Sequence, residues 1–130
     1  MRRADWLERL WATLKAAEER EFYYGACVRL SAECVDAMTD GNFVEQVAPL
    51  IEASREHPIE LETLAAFVTQ YLGDSVPMNC AGRGDVVLLD LPVAGPTLGI
   101  CSGDRIACAQ DPVGVCYVKR VRGLCAWAVD

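Results

Sequence analysis

Apolar residues recur every three or four positions through the first half of the chain and close to every second position through much of the second. From Asp5 to about Arg20 they fall at Trp6, Leu7, Leu10, Trp11 and Leu14, with charged residues elsewhere, the pattern of an amphipathic helix. A second helix is predicted from about Ala26, with Cys27, Leu30, Cys34 and Met38 on one buried stripe. It should stop before Thr39-Asp40-Gly41. Phe43, Val44, Val47, Leu50 and Ile51 predict a short third helix, and Leu61, Leu64, Phe67, Val68, Tyr71 and Leu72 a fourth that ends at Gly73, with Pro58 near its start.

After Ser75-Val76-Pro77 the pattern becomes that of strands: Val86 to Leu91, Leu98 to Cys101, Arg105 to Ala109, Val113 to Val118 and Leu124 to Val129. Gly, Pro or Asp separates each pair, and Ser102-Gly103-Asp104 suits a tight hairpin. The expected fold is therefore α+β in a single domain over residues 1–130, helical over 1–75 and β-rich over 76–130. The helices should pack on one face of a mostly antiparallel meander of about five strands.

At 130 residues the chain is long enough for one core. Its net charge of -7 and its lack of a basic cluster longer than Lys119-Arg120-Val121-Arg122 argue against nucleic acid as a partner. Asp5, Glu8 and Arg9 follow Met1-Arg2-Arg3 too closely for an export signal. No apolar run reaches the roughly 18 residues of a membrane helix, so a soluble chain without membrane insertion is expected. Seven cysteines, an odd number, read as reduced thiols that fill the core rather than as a disulfide framework. Most of the aromatic residues, Trp6, Trp11, Tyr23, Tyr24 and Trp127 among them, are also expected in the core.

The candidate nucleophile is Cys27, because the free amides and dipole at a helix start favour a thiolate. Such chemistry needs a histidine within hydrogen-bond reach. The sole histidine, His57, lies in the polar segment Arg55-Glu56-His57-Pro58 and reads as a solvated or capping residue rather than a relocated base. The contrasting reading of Cys27 is an inert thiol on the stripe with Leu30 and Cys34. A metal site is the other sharp reading of the cysteines. None forms a Cys-x2-Cys knuckle, although Cys101, Cys108, Cys116 and Cys125 could converge if their strands were neighbours. Cysteines filling a small core need fewer assumptions, so neither metal nor cofactor is expected.

Phe22-Tyr23-Tyr24-Gly25-Ala26-Cys27 opening a helix, Gly84-Asp85-Val86-Val87-Leu88 and Thr97-Leu98-Gly99-Ile100 together resemble the NlpC-type cell-wall peptidases, and more closely the small NlpC-like proteins of phage tail tips. The resemblance covers most of the chain and implies a papain-like fold. It puts the nucleophile at Cys27, Ala26 where the family usually has Asp, and Thr97 where it has the catalytic histidine. The third polar residue would fall on Ile106-Ala107-Cys108, which holds none, with Gln110 just beyond. It thus implies a catalytically degenerate scaffold, vestigial at Cys27 and Thr97. The expected role is a structural or assembly component of a phage tail tip or baseplate, in the virion after assembly in the host cytoplasm. Its partners would be other tail-tip and hub proteins, and the vestigial groove would be a place for contact with peptidoglycan. The alternative is an active cysteine hydrolase of cell-wall peptides that uses Cys27 with an unusual base.

Overall fold

Four helices precede a five-stranded sheet in the computed structural model, which describes residues 1–23, 25–92 and 94–130; Tyr24 lies outside them. Helix α1 spans Trp6–Ala16 and continues as a 3-10 turn over Ala17–Glu19; α2 spans Ala26–Thr39, α3 Phe43–Ser54 and α4 Leu61–Leu72. Strands β1 (Val86–Leu91), β2 (Gly95–Cys101), β3 (Arg105–Ala109), β4 (Val115–Lys119) and β5 (Cys125–Trp127) form an antiparallel sheet in the order β4-β3-β2-β1-β5. The architecture is α+β, helices first.

Several boundaries differ from the expected ones for local reasons. Helix α2 includes Thr39, expected to lie beyond it, and is capped by Asp40, which takes the left-handed conformation at φ 58°. Helix α3 runs three residues past Ile51 and through Pro49, whose missing N–H costs one helical hydrogen bond. Its first turn is capped from another helix: the Asp36 carboxylate accepts the Phe43 and Val44 amides at 2.7 and 3.0 Å. Helix α4 starts at Leu61, three residues after Pro58.

The sheet is not a pure meander. After β4 the chain passes through a 3-10 turn at Arg120–Arg122 and crosses to the far edge, where β5 pairs with β1. Both faces of the central strands are consequently buried, so Val86 to Leu89 read as a continuous apolar run rather than an alternating one. One face, with Val86, Leu88, Leu98, Ile100 and Trp127, joins the helical core. The other, with Val87, Leu89, Cys101, Ile106, Cys108 and Ala126, is lined by Phe22, Val76, Met78 and Ala81. The Arg120 guanidinium holds that second cover in place by donating to the Met78, Ala81 and Gly103 carbonyls at 2.5, 2.7 and 2.9 Å.

The aromatic expectation holds only in part. Trp127 is buried, while Trp11 is 40 % exposed and Tyr23 is exposed as well. Trp6 is half-buried, with the Arg2 guanidinium 4.3 Å above its ring.

The start of β1 is fixed by a buried carboxylate. Asp85 accepts Arg2 Nη2 at 2.8 Å and the Val129 amide at 3.2 Å on Oδ1, and the Gly82 amide at 2.8 Å on Oδ2. Gly84 before it has φ 92°, and a Cβ there would meet Arg2, Met38 and Trp6 atoms at 3.1 Å. Asp85→Ala removes the counter-charge of the partly buried Arg2 guanidinium and leaves two amides without their acceptor, so it should lower unfolding stability by roughly 2–4 kcal/mol, read as a fall in the urea midpoint.

Buried thiols set the alkaline limit of the fold. Burial pushes Cys34 from 9.0 up to about 12 and raises Cys27 and Cys108 as well. These thiols stay neutral in the folded chain but ionise above 9 in the unfolded one. Their contribution is therefore fully present below pH 9 and is lost as pH climbs from 9 toward 12, by about 1.4 kcal/mol per pH unit for each thiol still protonated only when folded. Urea midpoints taken from pH 7.5 upward should be flat at first and then fall, with a shallower fall in Cys34→Ala.

Candidate functional site

Gly25 sets the geometry at the start of α2. It sits at the N-cap with φ 92°, and a Cβ at this position would lie 2.8 Å from Ser54 Oγ and 3.1 Å from Ile51 Cγ2 on α3. Only glycine satisfies both the left-handed backbone and that close approach. Cys27 follows as the second residue of α2.

Thr97 lies inside β2, opposite Leu89 on β1, rather than just before the strand, because β2 begins at Gly95. The structure brings Cys27 and Thr97 together: the Thr97 side chain is a hydrogen-bond partner of the Cys27 thiol, and Cys27 Sγ donates to the Ala109 carbonyl at 3.6 Å. Both residues are buried, at 6 % and 3 % exposure. Cys27 does not pack with Leu30 and Cys34 as the stripe suggested; it belongs to the cluster of Val87, Leu89 and Cys108 on the sheet's second face.

Two opposed effects act on the thiol. A position in the first helical turn favours the thiolate. Burial disfavours it and wins, so the Cys27 thiol lies above its ordinary value, and the hydrogen bond from Thr97 reverses only part of that rise. Threonine is no base near neutral pH, so the arrangement holds a neutral thiol rather than activating one.

A pocket of about 240 Å³ opens beside the pair, lined by Phe22, Cys27, Ser54, Ile59, Pro96 and Thr97 among others. No charged side chain lines it among the described residues. Pro58 reaches its wall, but His57 itself is exposed, and the described contacts do not link it to Cys27. Ala26, where the peptidases that the sequence resembles usually have Asp, is buried. Ile106, Ala107 and Cys108 are buried on β3, and exposed Gln110 faces a second, larger pocket of about 550 Å³ that shares Phe22 and Ala94 with the first.

The four strand cysteines do not converge. Cys125 packs with the helical core, whereas Cys101 and Cys108 lie on the other face. Among the described residues no group of three or more His, Cys, Asp or Glu side chains is arranged to hold a metal ion, and no helix is long and apolar enough to cross a membrane.

Sequence reasoning missed Ser54, Ile59 and the Ala109 carbonyl, which reach the site from separate elements and carry no motif. The hairpin at 102–104 was the available signal for Cys108, since it sets β3 beside β2. Gly25→Ala should lose roughly 1–3 kcal/mol of stability from the left-handed strain and the collision with Ser54, checked by thermal unfolding of the two proteins side by side.

No curated protein matches the chain. The model of one family, described as a domain of unknown function (DUF6950), matches residues 1–129, and the chain belongs to that family.

Proposed function

We propose that this chain is a structural or assembly component of a phage tail tip or baseplate, built on an NlpC-like peptidase scaffold that has lost its catalytic base. The observation that carries the reading is the Thr97 hydroxyl against the Cys27 thiol, in the place where the resemblance expects an imidazole. A buried, neutral sulfur with an alcohol beside it has no route to a thiolate near neutral pH. The motifs Gly25-Ala26-Cys27 and Gly84-Asp85 nevertheless have firm architectural work, which explains their survival without chemistry. Exposed Trp11, Tyr23 and Tyr117 are side chains of the kind that anchors protein interfaces, as an assembly with other tail-tip and hub proteins needs.

The experiment has two arms. Mass spectrometry of purified phage particles should find the chain as a constant component, and its absence would remove the tail-tip assignment. Purified chain incubated with peptidoglycan or free stem peptides should release nothing, with Cys27→Ala indistinguishable from the unmodified protein. Cleavage that Cys27→Ala abolishes would establish the active hydrolase instead.

A further inference from the structure

We propose that Cys108 and Cys116 form a redox modification site, which a two-electron oxidant of the peroxide class converts to a cross-strand disulfide. The inference does not depend on the function proposed above. Cys108 on β3 lies directly opposite Cys116 on β4. The Gln110 amide donates to the Gly114 carbonyl at 2.9 Å and the Arg120 amide to the Asp104 carbonyl at 3.3 Å, which fixes the alternation of the ladder. Counting inward two residues from the first pair, or four from the second, makes Cys108 and Cys116 a hydrogen-bonded pair, whose Cα atoms are about 5.5 Å apart in an antiparallel sheet. A disulfide needs about 4.4–6.8 Å. Opposed residues also project from the same face, which sets the two thiols side by side. Their Cβ atoms, about 5.5 Å apart in such a pair, come within the roughly 4.5 Å upper reach of a disulfide by a small local approach of β4 to β3.

The two thiols differ in access. Cys116 is half-buried and lines the 550 Å³ pocket with Tyr23, Gln110 and Arg122, while Cys108 is 1 % exposed behind it. The pocket admits oxidant to one sulfur and shields the other. Cys116 sulfur attacks one peroxide oxygen: an S–O bond forms, the O–O bond breaks, and the leaving oxygen departs as water with the thiol's proton. Cys108 sulfur then attacks the sulfenic sulfur, forming S–S as the S–O bond breaks, and its proton leaves with that oxygen as a second water. Two thiols lose two electrons and two protons, and one peroxide becomes two waters.

Cys27 is the competing thiol, within electrostatic range of both. Its sulfur is already engaged by Thr97 and the Ala109 carbonyl, whereas Cys108 faces Cys116 across the ladder. The bond would tie β4, an edge strand, covalently to β3.

Trypsin cuts after Arg105 and Lys119, so both cysteines fall in one peptide, Ile106–Lys119. The folded chain is treated with hydrogen peroxide, then unfolded in iodoacetamide and digested. That peptide should carry no alkyl group and be lighter than its reduced form by two hydrogens, and dithiothreitol should restore both thiols. Cys116→Ser should abolish the change, and Cys27→Ser should leave it. Two alkyl groups on the peptide at a dose that oxidises exposed Cys80 would overturn the proposal, as would a disulfide from either cysteine to Cys27.

Discussion

The buried Asp85 carboxylate is the constraint on which the rest of the structure is hung. A charge removed from water must be compensated, and here the compensation comes from Arg2 near one end of the chain, Val129 near the other and the Gly82 turn between helices and sheet. The same guanidinium donates to the Val129 and Arg83 carbonyls and lies over Trp6. One ionic group therefore registers α1, the start of β1 and the segment that follows β5. Since β1 is flanked by β2 and β5, placing its first residue places the sheet.

That dependence explains which parts of the fold were legible in the sequence. Helices α1, α2 and α4 follow from apolar spacing, and β1 and β3 begin and end where their apolar runs do. The position of β5 was not legible, because pairing with β1 rather than β4 depends on the crossover through Arg120–Arg122 and on contacts that no local pattern encodes. The capping of α3 was not legible for a similar reason. Its cap is Asp36, seven residues before Phe43 and on another helix, so reading the local residues alone finds only Asn42, whose side chain instead accepts from the Tyr71 hydroxyl.

At the site, the sequence held the identity of the two central residues but not their state. The resemblance paired Cys27 with Thr97, and the fold brings them into contact. The position of Cys27 at a helix start suggested a thiolate, yet what decides the matter is burial, a property of the whole packing around β1, β2 and β3. Cys108 and Cys116, eight positions apart, are in the sequence two of four cysteines that could converge if their strands were neighbours, and core filling explains them with fewer assumptions. Their opposition appears only once the turn between β3 and β4 fixes the register.

Gly84-Asp85 and Gly25 also change meaning under this logic. In an active peptidase, motif residues of this kind are naturally attributed to the reaction. Here each has a structural reason that operates without any reaction: a left-handed φ with no room for a Cβ at Gly25 and Gly84, and three donors on one buried carboxylate at Asp85. Under the function proposed above, loss of a base at position 97 removes selection on chemistry but leaves these packing demands untouched. A scaffold can therefore shed its mechanism and keep the surrounding signature, because the signature residues hold the first strand and the second helix in place.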